Sequence, residues 1–564
     1  MTAITMKHVA HILDVFDGAL EKYFGKKWHW AITVPGVILL YFALYFLFCF
    51  SSTTYVDNGY RSSACAVGAG VLFGFVIAIS FAYFVLEGIL GRLTGRKTAW
   101  AFIVIASCAL TLWGFQASLN LGSYHHDASA LRTGNHWSII YDIYAKGDVP
   151  AAKMTNQYYQ PKFYHWLVAN LMKFNGLFVH LGDGAVTADA STQSRFPLYT
   201  ISAYHQLEMT RIFMILLGIT SFYAIYRIFK GLGLQGRKVG ICTALTVLIP
   251  EFWYIQFFMN NDGLAMTLSL VAFALALEYK RKEGTIVLLA SAVSLGLAMM
   301  AKLNSALMAV PIAAVFLYVF VGKFKKRKED SNALWKTIGQ FALFAVIVFP
   351  LGLWTPIVYQ KKYGIPFGYV LDLTPTQADK EAYGMFIDPS FYNFFERCIL
   401  FPARDLFVNV YNVRWRNKVG GVYVNAVDTI DYNCWTALFK TMFFDEWNNF
   451  AKTSGVFTAT LLSFLLYLEV FLALFGGVSA LAYYFRFFKK KLYRKESFVP
   501  VVLTIMGLAF AVNYIYFVNR YPVGCSQNAR YVMPLILVIQ CAIGSMLVDG
   551  SDLVRKIHRE NTVA

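Results

Sequence analysis

Gly284 to Gly322 reads GTIVLLASAVSLGLAMMAKLNSALMAVPIAAVFLYVFVG, two apolar runs parted by Ala301-Lys302-Leu303-Asn304. About 20 apolar residues carry a helix across a hydrocarbon core. Residues 284–301 and 303–322 therefore read as consecutive spans that turn at a membrane edge, with one cation, Lys302, left in the turn.

Working outward on the same rule gives roughly twelve spans. They lie near 31–50, 63–88, 98–119, 206–229, 239–259, 263–279, 284–301, 303–322, 336–358, 457–486, 499–519 and 530–549. Basic residues mark cytoplasmic loops. With Lys22, Lys26 and Lys27 placed inside, Arg92/Arg96/Lys97, Arg237/Lys238, Lys280/Arg281/Lys282, Lys323/Lys325/Lys326/Arg327/Lys328 and Lys489/Lys490/Lys491/Arg494/Lys495 fall on that same side. So do Arg555, Lys556 and Arg559, and both termini are expected in the cytoplasm.

Composition agrees. Of 564 residues, 58% are apolar and only 15% charged, which excludes a soluble enzyme and a disordered chain alike. The mean hydropathy is +0.51. The net charge of +18 belongs to the cytoplasmic loops and needs no nucleic acid partner. Eight cysteines make no framework: Cys49, Cys65, Cys108, Cys242 and Cys541 lie in or beside apolar runs, while Cys398, Cys434 and Cys525 fall in external segments. A Cys398–Cys434 bridge is one option, and no CxxC pair suggests zinc.

Three parts follow: residues 1–97, a cytoplasmic N-terminus with two spans; 98–549, the main membrane domain; and 550–564, a cytoplasmic tail. Two long loops, about 120–205 and 359–456, face outside. The first holds two helical patterns, Trp137 to Tyr144 and Phe163 to Val168 after Pro161, which read as amphipathic helices at the membrane surface.

Polar residues collect at the external ends of the spans. They are Gly122-Ser123-Tyr124-His125-His126-Asp127, Asn260-Asn261-Asp262-Gly263, Lys302 with Asn304, and Gln527-Asn528-Ala529-Arg530-Tyr531 before Pro534. Glycosyl transfer from a lipid-linked phosphosugar needs such a set. A base takes the proton of the acceptor hydroxyl, and cations hold the phosphate that gains charge as it leaves. Asp127 suits the base; Lys302 and Arg530 suit the phosphate, arginine through a bidentate contact. Glu251, after Pro250, is a further cavity candidate. Each residue also has a plainer reading: Asp127, Asn261 and Asp262 as helix caps, Lys302 as a snorkelling chain, Arg530 as an interfacial anchor.

Other patterns carry less. His125-His126-Asp127 lacks the partners of a metal site, so no metal is expected. Gly231-Leu232-Gly233-Leu234-Gln235-Gly236 matches a dinucleotide loop, but it lies between two spans and follows no strand. Glu469, in mid-span, reads as a neutral, hydrogen-bonded structural carboxyl.

Across roughly 98–549 the chain resembles the GT-C membrane glycosyltransferases, particularly the branch of protein O-mannosyltransferases and lipid A aminoarabinose transferases. The resemblance rests on Asp127 early in the first long loop, Gln160-Pro161-Lys162-Phe163-Tyr164, the pair Asn261-Asp262, and Ala529-Arg530-Tyr531 with Pro534. It implies an all-α polytopic fold with surface helices around the site. It also implies inverting transfer from a polyprenyl-phosphate sugar by one displacement, with Asp127 as base, His126 assisting or orienting it, and basic residues on the phosphate. The chain departs from the family where His126 precedes the aspartate in place of an Asp-Glu pair, where Lys162 replaces a second proline, and where two extra spans come first.

The expected function is an inverting glycosyltransferase with no cofactor. Catalytic residues are Asp127 and His126; Lys302, Arg530 and Tyr531 bind the donor phosphate; His125, Asn261, Asp262, Gln160 and Glu251 line the cavity. Its partners are the lipid-linked donor, a glycan or lipid acceptor, less so a protein, and membrane lipid. The expected place is a bacterial plasma membrane with an external site, or the endoplasmic reticulum membrane in a eukaryote. A lipid-linked sugar flippase, or a glycan polymerase or ligase using Arg414 and Arg416, is the alternative.

Overall fold

The computed structural model describes residues 136–147, 160–176, 211–234, 237–257, 259–365, 392–403, 406, 417–419, 422–424, 432–444, 449–491, 498–522 and 524–563. The expected spans 31–50, 63–88 and 98–119, together with His125, His126, Asp127, Arg414 and Arg416, lie outside them.

The described chain is built from helices. Two short ones come first, α1 (His136–Lys146) and α2 (Phe163–Gly176). They are followed by α3 (Arg211–Gly231), α4 (Arg237–Val247), α5 (Pro250–Phe257), α6 (Asp262–Lys282) and α7 (Thr285–Ala301). A 3₁₀ turn, Leu303–Met308, leads into α8 (Ala309–Lys325), and α9 is Ser331–Tyr363. The second long loop contributes α10 (Phe394–Cys398) and α11 (Cys434–Phe444). The chain closes with α12 (Asn449–Lys489), α13 (Phe498–Arg520), 3₁₀ turns at Gly524–Gln527 and Ala529–Val532, and α14 (Met533–Val563).

Among the described residues, six helices are long and apolar enough to cross a bilayer: Asp262–Lys282, Leu303–Lys325, Ser331–Tyr363, Thr460–Lys489, Phe498–Arg520 and Ala529–Gly550. This is a polytopic helical membrane protein. One detail corrects the sequence reading. The expected span 239–259 is broken into α4 and α5, bent by 61°. Pro250 is the cause, because proline disfavours helical geometry in the residue before it. Besides α10 and α11, the second long loop carries a small antiparallel hairpin, β1 (Asn417–Val419) with β2 (Val422–Val424).

The α6 helix is the hub. It packs against α3, α5, α7 and α8, and small residues on its faces (Ala265, Ser269, Ala272, Ala276) are buried. Small residues let membrane helices approach closely. A polar knot fixes α6 to α3 and α5: the Ser221 and Thr267 hydroxyls lie 2.7 Å apart, and Gln256 Nε2 donates to both, at 3.1 and 3.2 Å. Gly263 makes room for this, since a Cβ there would stand 2.8 Å from the Ile255 carbonyl oxygen. Glu469 of α12 accepts from Gln540 Nε2 of α14, so the intramembrane carboxyl has a partner that the sequence did not reveal.

The helices alternate as the loop charges imply. The α6 helix runs from Asp262 to the basic Lys280-Arg281-Lys282 end, α7 returns to Lys302, α8 runs out to Lys323 and Lys325, and α9 comes back to Tyr363. Asp262, Lys302 and the start of α14 thus share one end of the bundle. The helices α1 and α2 pack on each other and on the same ends: Trp137, Ile140, Tyr164 and Val168 join Leu264, Ala265 and Ala301 in one buried cluster.

One close helix contact gives a test. A Cβ on Gly544 of α14 would stand 2.5 Å from Cys242 Sγ and 3.2 Å from its Cα and N. Gly544→Ala should therefore destabilise the folded protein by about 1–3 kcal/mol. Gly477→Ala on α12, whose methyl meets nothing within 4 Å, should not. Thermal unfolding in detergent compares the two; equal melting points would contradict the packing.

Candidate active site

The site starts from how α6 begins. The Asn260 side chain accepts from the Asp262 backbone N–H at 2.9 Å and thereby turns the chain into the helix. The next two side chains are left for other work, and Asn261 makes no capping hydrogen bond. Its Nδ2 instead donates to Gln160 Oε1 and to the Ala301 carbonyl, both at 2.8 Å. One buried amide thus joins the segment before α2 to the end of α7. Gln160 is held from the other side too, where the Tyr359 hydroxyl donates to its carbonyl at 3.3 Å. Lys162 lies 5.5 Å from the Tyr359 ring centre.

Ala301 is the last residue of α7, and Lys302 follows in an extended conformation (φ −155°, ψ 124°) before the 3₁₀ turn. This break sends the lysine side chain sideways rather than along a helix face. Its Nζ donates to Asp262 Oδ1. Arg530 arrives from the far end of the sequence. Asn528 caps its turn by accepting from Arg530 N at 2.8 Å, and Ala529 N donates to Thr441 Oγ1 of α11 at 3.0 Å. Arg530 Nε then stands 3.9 Å from Asp262 Oδ2.

Two cations therefore converge on one carboxylate. Asp262 is 9% exposed, Lys302 15% and Arg530 19%. Tyr531 serves as a common wall: Lys302 Nζ lies 4.9 Å and the Arg530 guanidinium carbon 5.1 Å from its ring centre, and Arg530 Nη2 donates to its hydroxyl at 3.2 Å. Cation–ring contacts strengthen when desolvated. The plainer readings of these residues do not describe this geometry: Asn261 is no side-chain cap, Lys302 does not reach for water, and Arg530 is turned into the protein.

Beside this cluster lies a small cavity of about 50 Å³ between α6, the Leu303–Met308 turn, α13 and α14, with Asp262, Arg530 and Tyr531 in its wall and Lys302 outside it. Leu270, Met308 and Phe510 line its apolar part, with Ser269, Asn304 and Asn513 among them. Glu251 lies elsewhere, 2% exposed in the first turn of α5 and not in the cavity wall. Among the described residues no group of three histidine, cysteine or carboxylate side chains is placed to hold a metal. Asp127, His126 and His125 lie outside the described residues.

Sequence reasoning missed one feature. His136 opens α1 and His165 sits in the first turn of α2; their rings stack at 5.0 Å, and Nδ1 of the first lies 2.8 Å from Nε2 of the second. Both are buried. Burial, then the charges of Lys302 and Arg530, pull the His136 pKa down from 6.5 to about 3. Burial, then His136 and Lys162, hold His165 well below its ordinary value. The pair is neutral and stands beside the cations without adding charge. No local motif announces it, since the two residues are 29 positions apart.

The sign of this shift fixes a pH dependence. Between about pH 6.5 and 3 the unfolded His136 binds a proton that the folded one refuses, so stability rises with pH across that window. The contribution is intact above the unfolded value and is lost as the pH falls toward 3. Replacing both rings, His136→Gln with His165→Gln, should flatten the acid limb of a melting-point profile. Parallel limbs for wild type and variant would contradict the assignment.

Residues 199–354 match a family model described as dolichyl-phosphate-mannose-protein mannosyltransferase. No curated protein and no solved structure matches the chain. The matched stretch runs from before α3 into α9 and holds Asn261, Asp262 and Lys302, while Gln160, Arg530 and Tyr531 reach the site from outside it. With the helical membrane architecture around it, this likeness to the mannosyltransferase family supports a GT-C membrane glycosyltransferase.

Proposed function

We propose that the protein transfers a sugar from a polyprenyl-phosphate carrier to an acceptor hydroxyl, with inversion, on the external side of the membrane. One observation carries the reading. Lys302 and Arg530, 228 positions apart in sequence, meet at Asp262, and Asp262 and Arg530 border a small cavity among the apolar helices α6, α13 and α14. A phosphate on a long hydrocarbon needs that combination: charge at the membrane edge and apolar helices beside it.

The chemistry is a single displacement. The acceptor oxygen attacks the anomeric carbon as the bond from that carbon to the phosphate oxygen breaks, and the hydroxyl proton passes to the Asp127 carboxylate. Polyprenyl phosphate leaves with an added negative charge. Lys302 and Arg530 hold that charge, the arginine as a planar fork. Asp262 keeps both cations aimed before substrate arrives, so little reorganisation remains at the moment of transfer. The neutral histidine pair fills space behind them without competing for the phosphate. His126 orients Asp127, His125 shapes the acceptor side, and the buried Asn261 ties Gln160 to the end of α7 behind the cations. No metal or other cofactor enters this scheme.

Sidedness follows from charge. The site end lies opposite the lysine-rich ends of α6, α8 and α12, and basic loops stay in the cytoplasm. On this reading both termini lie inside, and the acceptor is a glycan or lipid, less so a protein, on the outer face of a bacterial plasma membrane or the lumenal face of the endoplasmic reticulum membrane.

The test is sugar transfer by the purified full chain in vesicles holding a polyprenyl-phosphate sugar. Asp127→Asn should cut kcat by about 10²–10⁴-fold. Lys302→Met and Arg530→Met should each cut it by about 10²–10³-fold. Normal turnover in Asp127→Asn would remove the base assignment; normal turnover in both cation variants would remove the phosphate site.

A further inference from the structure

Two segments inside the second long loop meet at a pair of cysteines. Cys398 closes α10 and Cys434 opens α11; they are 2% and 0% exposed, and their thiols lie within hydrogen-bonding reach of each other. The backbone around them is clamped by bonds of which only one, from Asn519, involves a sulfur. Asn433 Nδ2 donates to the carbonyls of Glu396 and Leu400 at 2.7 and 2.6 Å, and Asn433 Oδ1 caps α11. Trp435 Nε1 donates to the Cys398 carbonyl at 2.7 Å. From α13, Asn519 Nδ2 donates to Cys398 Sγ at 3.1 Å. Arg397 Nη2 donates to the Val518 carbonyl at 2.7 Å, so its charge sits at the carbonyl end of that helix.

This clamp supports the candidate active site. The Tyr514 hydroxyl lies 2.8 Å from the Cys434 carbonyl and 2.6 Å from that of Gln527. Thr441, also on α11, accepts from Ala529, the residue before Arg530. Whatever fixes α11 fixes the turn that carries Arg530 and Tyr531.

A second thiol pair provides contrast. Cys242 of α4 and Cys541 of α14 are also buried and in reach of each other. They sit near Lys238, toward the basic end of the bundle, where Lys238 pairs with Asp549 at 2.7 Å.

We propose that Cys398 and Cys434 are joined by a disulfide in the mature protein, stapling the second long loop beneath the Arg530 turn, while Cys242 and Cys541 remain thiols. The proposal rests on the external placement of the site end, because oxidising conditions prevail there and not in the cytoplasm. The oxidant is the disulfide form of an external thiol oxidoreductase. The thiolate of one cysteine attacks it to give a mixed disulfide, and the other cysteine then displaces the carrier. Two thiols and one disulfide become one protein disulfide and two carrier thiols, which take up both protons and both electrons. Burial of the pair sets the timing: exchange precedes the docking of α10 on α11. In the reduced pair the Cys434 thiol, then Asn519 and Arg397, hold the Cys398 thiol below its ordinary pKa.

The experiment unfolds the full chain, taken directly from its membranes, in excess N-ethylmaleimide without reductant and maps cysteine peptides by mass spectrometry. The expected result is a Cys398–Cys434 cross-linked peptide that disappears on prior reduction, with Cys242 and Cys541 carrying maleimide. Maleimide on both Cys398 and Cys434, or a link from either to another cysteine, overturns the proposal and leaves the transfer reaction untouched. A Cys242–Cys541 link with Cys398 and Cys434 modified overturns the external placement as well. Cys398→Ser with Cys434→Ser should lower the melting point by several degrees, as reduction of the wild type should; no shift in either overturns the staple.

Discussion

Two cations at a membrane edge, mostly removed from water, are tolerable only beside an anion. Asp262 is that anion for both Lys302 and Arg530. A partly buried charge pair adds little net stability, but losing one partner is costly because the other charge is left uncompensated. The triad is therefore better understood as a device for fixing geometry. The start of α6, the break of α7 at Lys302 and the pinning of the turn before α14 to α11 all serve that geometry.

Each constraint is met by a neighbouring polar residue. Asn260 starts α6 so that Asn261 and Asp262 face inward. Asn261 binds the end of α7 and Gln160 together. Thr441 and Asn528 hold the Arg530 turn. Behind them the small residues of α6 let four helices close on it, which keeps the three charged side chains in register. The mannosyltransferase likeness covers only the middle of this construction, and the arginine comes to it from the last quarter of the chain.

Much of this was legible from residue order alone, for physical reasons. Apolar runs of bilayer length specify spans without reference to tertiary structure, and basic loops set their alternation. Lys302, Asp262 and Arg530 stood out because charge is rare in such a chain. What tertiary contact decides stayed hidden. The bend at Pro250 divides one apolar run into two helices, although composition alone shows no gap. The His136–His165 stack, the Glu469–Gln540 pair and the Asn261 bridge to Gln160 join positions distant in sequence. No periodicity records such meetings. Asp262 was legible as a polar residue but not as the carboxylate that two cations share.

The central claim is that Lys302 and Arg530 hold the phosphate of a lipid carrier. A structure of the full chain bound to a non-transferable polyprenyl-phosphate sugar analogue tests it most directly. The expected result is the phosphorus atom within contact of Lys302 Nζ and the Arg530 guanidinium, with the lipid chain leaving along the apolar helices. A phosphate bound elsewhere, with the Asp262 contacts unchanged, would make the triad a purely structural lock and contradict the account.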